Sequence, residues 1–424
     1  MTLKITPPQS ATLLYDGDCG FCQVWVAYFV QKAPGLFIPQ AFQTWNGNEI
    51  PESNLRSAVH LVKQDGSVLV GAHVFAELFS QMGVRWPLFL YRHGGAFFAD
   101  RVYYWIARHR KLSFWFTQGS FGIPVYPLSL DRMSDWFLRG LGFIYAMAFF
   151  SLQSQVIGLL GSDGVMPLEK WLSPLSAPYL RISMFFSDPS LFWLWLSDRA
   201  LSGAAWLGFL CGVAMVVFPA KGLLRLACWF LYLSFVNMGG VFFQYQWDAL
   251  LLEAGMLALL LPWGKKQEKE TPRVPVVLLF RFLLFRLLLG SGLLKILSGD
   301  PSWLKGSALQ YHFETQPLPT VLSYYAAQAP SWLKCVGTEF TLVCELFVPF
   351  FFFAPRRLRM WVGWGPTVLL QVLILLTGNF AWFNYLTLLL TLFLLDDRVI
   401  ENLFLRTRNH DHQGGAFATC SLPP

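Results

Sequence analysis

The chain has 424 residues, of which 55% are hydrophobic and 17% aromatic, while only 13% are charged. A soluble domain carries about 25% charge, so this composition excludes an ordinary soluble enzyme and points to a lipid bilayer as the first partner. The net charge of +7 gathers in short clusters between apolar runs, which suits membrane orientation and argues against a nucleic-acid partner.

The opening residues Met-Thr-Leu-Lys-Ile-Thr-Pro-Pro hold no apolar leader, so the first domain is expected on the cytoplasmic side. Thr12 to Tyr15 reads as a strand. It runs into Asp16-Gly17-Asp18-Cys19-Gly20-Phe21-Cys22, and a helix is predicted from Cys19 to Lys32, stopped by Ala33-Pro34-Gly35. A strand, a turn and a helix opening with C-x-x-C is the sequence form of a thioredoxin-like redox site. The partial positive charge and free N–H groups of a helix N-terminus stabilise a thiolate, which makes Cys19 the attacking sulfur. Cys22 lies three residues on, on the same helix face, and can resolve a mixed disulfide.

A second strand is expected at Leu36 to Phe42. Ala58 to Val62 and Ser67 to Val70 flank Lys63-Gln64-Asp65-Gly66, a hairpin with its Asp-Gly signal. Val74 to Met82 has helical spacing, and a basic helical stretch ends in Arg108-His109-Arg110-Lys111. The β-α-β-β-α order predicts a small α/β thioredoxin-like domain over residues 1–116, followed by a linker over 117–135. The other cysteines make no motif. Cys211, Cys228 and Cys344 read as small apolar fillers. Cys335 and Cys344 are nine residues apart on one predicted helix and face opposite sides. No metal site is expected, because no second Cys/His pair has ligand spacing.

From Trp136 onward apolar runs recur, predicting an all-α polytopic bundle over 136–397 and a polar cytoplasmic tail over 398–424. Eight spans are expected: Phe137–Leu160, Ala200–Pro219, Leu223–Gln244, Asp248–Pro262, Val276–Leu297, Cys335–Phe353, Trp361–Thr377 and Phe380–Leu395. With the N-terminus inside, the inner loops hold Lys221, Arg225, Lys265, Lys266, Lys269, Arg273, Arg356, Arg357, Arg359, Arg398, Arg406 and Arg408. The outer loops hold Lys170, Arg181, Arg199, Lys305 and Lys334. Twelve against five is a positive-inside bias. It predicts a cell (inner) membrane protein with both termini cytoplasmic. Two long outer segments, 161–199 and 298–334, are the places to expect function.

Ionisable groups inside spans are functional candidates. Helix direction places Asp248, Glu253, Lys295 and Glu339 in the outer half of the bilayer, with His312 and Glu314 in the segment above. Such a group of carboxylates around a lysine is the kind that tunes a proton-transfer group, with Lys295 as candidate base. The alternative is that Lys295 pairs with Glu253 or Glu339 to lock the bundle. Arg286 and Glu345 fall near mid-depth and could pair with each other. His410-Asp411-His412 lies in the polar tail and is not expected to bind metal.

Three resemblances follow from these phrases. The D-G-x-C-x-x-C motif with Asp16, the Asp65-Gly66 hairpin and the segment Tyr103-x-x-x-Ala107-Arg108-x-Arg110 resemble the DCC family of predicted thiol-disulfide oxidoreductases over the first quarter of the chain. A thioredoxin's cis-proline has no convincing counterpart before the Ala58 strand. Further on, Gln244-Tyr245-Gln246-Trp247-Asp248-Ala249-Leu250-Leu251-Leu252-Glu253, the run Gly290 to Lys295 with its Ser298-Gly299-Asp300-Pro301-x-Trp303 tail, the Tyr311-His312-x-Glu314-Thr315-Gln316-Pro317 loop and Leu376-Thr377-Gly378-Asn379 resemble the lipase maturation factor family. That resemblance implies, for eukaryotes, an endoplasmic reticulum membrane protein that helps secreted lipases fold, while a fused DCC head looks like a bacterial arrangement. Gly292, Lys295, Asp300, Trp303 and Gly306 are more distantly similar to the membrane domain of vitamin K-dependent carboxylases and their horizontally transferred relatives, in which a lysine deprotonates a reduced quinone. A quinone is then the one lipid-soluble cofactor or substrate the resemblance suggests; no other cofactor is evident.

Three functions are therefore in play. The favoured one is a membrane-anchored thiol-disulfide oxidoreductase, acting through Cys19 and Cys22 in the redox state or folding of a client or redox partner. The second is a non-enzymatic maturation factor for a secreted protein. The third is a carboxylase-like membrane enzyme using Lys295. The expected topology puts the cysteines and the long outer segments on opposite faces, and the outer segments hold no cysteine pair to relay between them.

Overall fold

The structure, a computed structural model, describes residues 5–47, 49–125, 127–172, 185–263 and 274–398. It divides into two compact units. One runs to Leu128 and includes Pro355–Arg357; the other comprises Ser129–Ala354 and the chain from Leu358 onward.

The first unit is an α/β sheet domain. β1 (Thr12–Tyr15), α1 (Gly20–Lys32), β2 (Ile38–Ala41), α2 (Glu52–Ser57), β3 (His60–Val62), β4 (Val68–Val70) and α3 (Ala72–Gln81) follow in order. The sheet order is β2-β1-β3-β4, with β1 and β2 parallel and β3 antiparallel to both its neighbours. β1 shows why its sequence is a continuous apolar run. Leu13 packs on one side with Val26, Phe29, Leu61 and Val74, and Leu14 on the other with Phe42, Leu55, Val62 and Val68. A strand covered on both faces has no polar face to alternate with. The expected hairpin is present: Gly66 takes φ +76°, and Asp65 accepts from the Ser67 N–H at 2.9 Å. α2 was not among the expected elements, being too short for a periodic pattern to register.

The basic stretch after α3 is several helices rather than one: α4 (Trp86–Leu90), α5 (Ala96–Arg108) and α6 (Arg110–Ser120). The chain leaves helical geometry at His93 and at Gly94, where φ is +106°, and again at His109, where φ is −109° and ψ 41°.

The second unit is helical. Among the described residues, four helices are long and apolar enough to cross a membrane: α7 (Asp131–Leu160), α9 (Asp198–Val217), α12 (Val274–Leu297) and α17 (Arg356–Thr377). The remaining expected spans fall on shorter elements: α10 (Gly222–Met238), α11 (Gln246–Leu259), α16 (Ser331–Leu346) and the apolar stretch Phe383–Leu394, which opens with α18 (Phe383–Leu390). At 1.5 Å per residue the 14 residues of α11 rise about 21 Å, short of a hydrocarbon core about 30 Å thick. Among the described residues, four of the eight expected spans thus fall on helices of spanning length, and the eight-span count is not confirmed. Small helices lie between: α8 (Leu168–Leu172), α13 (Pro301–Leu304), α14 (Ala308–Thr315) and α15 (Val321–Ala327). Residues 298–334 are therefore built from short helices and not from an open loop.

Helices α7 and α9 approach each other closely through small residues. A Cβ on Gly212 would lie 2.6 Å from the Ala146 nitrogen, and one on Gly142 would lie 3.0 Å from the Gly212 carbonyl oxygen. Gly142-x-x-x-Ala146 faces Gly208-x-x-x-Gly212, the small-residue spacing that lets helix backbones approach in a bilayer. Aromatic rings fill the adjoining core: Phe280 stacks on Phe393 at 4.0 Å, and Tyr145, Phe149 and Tyr232 meet at 5.6 to 6.3 Å.

Several cations counted above as loop charges have another use. Arg225 is buried and donates to the carbonyls of Pro219, Ala258, Leu261 and Pro262, closing the C-terminal end of α11. Arg359 donates to the Leu394 and Ala354 carbonyls, and Lys334 is buried with its ammonium on the Ala327 carbonyl at 2.9 Å. Helix ends leave orphan carbonyls, and a long cation satisfies them where water is scarce. At the opposite polarity, Asp397 accepts from the Arg132 and Met133 N–H groups at 3.1 and 3.0 Å, capping α7. Arg181, Lys265, Lys266, Lys269, Arg273, Arg406, Arg408 and His410-Asp411-His412 lie outside the described residues.

Candidate functional site

The dithiol sits where β1 hands over to α1. Cys19 is the N-cap of the helix, and its Sγ accepts the backbone N–H of Cys22 at 3.4 Å. Both cysteines are free and half-buried. The Cys19 thiol is lowered to about 6. The hydrogen bond from the Cys22 thiol is the largest cause; partial burial opposes it, and the Cys22 N–H and the Arg110 guanidinium reinforce it. The same thiol–thiolate bond, with burial, drives the Cys22 thiol far upward. One sulfur is thus prepared to attack while the other stays protonated.

Around the pair is a polar collar. Asp16 Oδ2 accepts from Arg110 Nη1 at 2.7 Å. Asp16 Oδ1 accepts from Gln43 Nε2 at 2.9 Å and from the Asp18 N–H at 3.2 Å. Gln43 returns a bond by accepting the Gly17 N–H at 3.0 Å. Gly17 is required by this closeness: a Cβ there would lie 2.8 Å from the Ala41 Cβ. Arg110 also donates to the Arg56 carbonyl at 2.7 Å, and the Tyr103 hydroxyl accepts the Val59 N–H at 2.8 Å. Burial raises the Tyr103 hydroxyl to about 12, so it stays protonated near the thiols.

Gln43, Tyr103 and Arg110 were not named as site residues from sequence. Gln43 carries no signal that could have marked it. Tyr103 and Arg110 did: they bound the DCC-like segment, although they lie on α5 and α6, on either side of the break at His109.

In the helical unit the expected meeting of four charges does not occur. Lys295 Nζ donates to both oxygens of Glu345, at 2.8 and 2.7 Å, and lies 5.1 Å from the Trp303 ring centroid. Glu253 pairs with Arg286, and Asp248 accepts from the Tyr232 hydroxyl. Glu339 is exposed. The partners expected for Lys295 and Arg286 are thus exchanged, and helix rotation is the reason. Arg286 and Lys295 are nine residues apart, half a turn out of phase, so one faces α11 and the other α16. Asp248 and Glu253, five apart, likewise diverge. Asp300 caps α13 through the Ser302 N–H at 2.9 Å. His312 lies parallel to the Phe380 ring at 6.3 Å, and Glu314 is exposed. Among the described residues, no group of three His, Cys, Asp or Glu side chains is placed to hold a metal ion.

Comparison with known proteins divides the chain in the same way. The family model of the lipase maturation factor transmembrane domain matches residues 132–402, and that of the DCC1-like thiol-disulfide oxidoreductases matches residues 13–116. Lipase maturation factor 2 of Xenopus laevis is 38% identical over 304 residues, 68% of this chain and 42% of the relative. The Homo sapiens protein of that name is 39% identical over 282 residues, covering 62% and 40%. Lipase maturation factor 1 of Mus musculus is 35% identical over 280 residues, covering 63% and 48%. The chain thus spans less than half the length of these curated relatives. No solved structure matches.

Proposed function

The chain belongs to the lipase maturation factor family, with a DCC1-like thiol-disulfide oxidoreductase domain ahead of the family's transmembrane domain, and from that membership we propose a multi-pass membrane maturation factor whose N-terminal dithiol exchanges disulfides with a partner protein. The observation that carries this reading is Cys19 at the N-cap of α1, lowered to about 6 beside a protonated Cys22. The sheet order β2-β1-β3-β4, with the dithiol at the end of β1, supports a thioredoxin-like head.

The exchange balances without an added cofactor. The Cys19 thiolate attacks one sulfur of a partner disulfide; a Cys19–partner bond forms and the partner's other sulfur leaves as a thiolate. Cys22 then loses its proton and attacks Cys19 Sγ, forming the Cys19–Cys22 disulfide and releasing the second partner thiol. The partner is reduced by two electrons and the head oxidised by two; the reverse sequence oxidises the partner. Arg110 and the helix N-terminus hold the thiolate, and the Asp16–Gln43 collar fixes the turn that presents it.

The test is to trap the intermediate. A Cys22→Ser chain, expressed whole in its membrane, should accumulate a mixed disulfide that reductant removes and that Cys19→Ser abolishes. Recovery of no partner from Cys22→Ser membranes, with the thiol of Cys19 shown to be reactive, removes the oxidoreductase reading and leaves a non-enzymatic maturation factor. We place the head and the C-terminal end on the cytoplasmic side of a cell (inner) membrane. Setting aside buried Arg225, Arg359 and Lys334 leaves ten inner against four outer cations, which still supports that orientation. The bidentate Lys295–Glu345 contact favours a structural ion pair over a carboxylase-like base.

A further inference from the structure

Helices α4, α5 and α6 carry opposite chemistry on two faces. Inward, they place Tyr103 on the Val59 N–H and Arg110 on Asp16. Outward, they leave large apolar side chains uncovered: Trp86, Phe97, Phe98 and Trp115 are 65%, 75%, 73% and 71% exposed. Single exposed apolar groups are ordinary, but a concentration of this kind marks an interaction surface. Cations are interleaved with the rings. Arg85, Arg92, Arg101, Arg108 and Lys111 are all exposed. Asp100 is the one acidic residue between positions 85 and 116, and the Tyr91 hydroxyl donates to it at 3.1 Å. On α5, Phe97, Arg101, Trp105 and Arg108 follow helical spacing along one side, with the Arg101 guanidinium 5.9 Å from the Phe97 ring centroid.

We propose that this face of the head rests in the headgroup region of an anionic lipid bilayer, with the rings of α4–α6 below the phosphates and the cations among them. Basic helices with an aromatic side and almost no acidic residue have the composition of interfacial segments. Trp and Tyr belong at that depth, and Arg and Lys pair with anionic headgroups. Chain continuity supplies the second argument. Asp131 opens the first helix of spanning length eleven residues after Ser120 ends α6. Fully extended, eleven residues reach about 36–40 Å, so the surface is tethered near a membrane. The proposal stands whether or not the dithiol turns over.

The test uses the full chain in nanodiscs of phosphatidylcholine, with and without phosphatidylglycerol. An environment-sensitive fluorescent amino acid replaces Phe98, and the discs contain lipid spin-labelled near the headgroup. Quenching by the labelled lipid is expected, roughly twofold or more stronger with phosphatidylglycerol. A triple charge reversal, R85E, R92E and R101E, should remove that increment while the alkylation rate of Cys19 stays unchanged, showing an intact head. Absence of lipid quenching overturns the proposal in either of two ways: aqueous iodide reaches the probe, as on a free surface, or is excluded from it, as under another protein surface. Quenching indifferent to both phosphatidylglycerol and the charge reversal also overturns it.

Discussion

The Cys19 sulfur is held between opposing influences, and their balance is measurable. Its thiol is lowered to about 6, against roughly 8.5 for a free cysteine. A folded value below the unfolded one adds stability that is fully present above pH about 8.5 and fades as pH falls through about 6. The reduced chain should therefore lose thermal stability between those values relative to a Cys19→Ser variant; parallel curves would remove the thiolate assignment. Arg110→Gln takes away one attraction and leaves the thiol–thiol bond. Its alkylation profile should move to higher pH, slowing the reaction near pH 6 by roughly two- to tenfold; an unmoved profile would show that Arg110 serves only the Asp16 turn. In the helical unit, Glu345→Gln strands a largely buried ammonium, an imbalance that costs about 3–5 kcal/mol in other proteins. The apolar pair Lys295→Met with Glu345→Leu should recover most of the loss. A double variant as damaged as the single one would argue that the pair does more than hold α12 to α16.

At the scale of elements, the α7–α9 contact gives a sharp contrast within one helix. A Cβ at Gly212 meets the α7 backbone at 2.6 Å, whereas one at Gly203 meets nothing within 4 Å. Gly212→Val should cut the yield of folded protein or lower its unfolding temperature, an overpacking penalty of about 1–3 kcal/mol or more. Gly203→Ala should be neutral or slightly stabilising, since alanine is favoured over glycine in a helix by roughly 0.5–1 kcal/mol. Equal effects at the two positions would mean that α7 and α9 do not meet as described. Most head elements were legible because turn signals bounded them: Asp65-Gly66 for the hairpin and Ala33-Pro34-Gly35 for the end of α1. The membrane helices were legible as apolar runs but not in length. Gly239 and Gly240 end α10 early, and the sixth run passes through Pro349 after α16 has stopped at Leu346. Hydropathy does not register such breaks.

For the whole molecule, the proposed orientation puts the dithiol on the cytoplasmic face. Side-specific labelling in intact cells should modify Cys19 only after the cytoplasmic face is opened; labelling from outside would reverse the proposed orientation. The amino-acid sequence by itself determined that the chain has two parts, that the first carries a dithiol at the start of a helix, and that the second is apolar enough for a bilayer. Those properties are local, set by composition, spacing and turn chemistry along a few residues. Tertiary structure decided which charges meet. Arg110 reaches Asp16 across 94 residues, and Gln43 reaches the same carboxylate across 27. Lys295 finds Glu345 while Arg286 finds Glu253. Depth along a helix can be read from its sequence, but the rotation that turns each side chain toward one neighbour is fixed only when the helices pack.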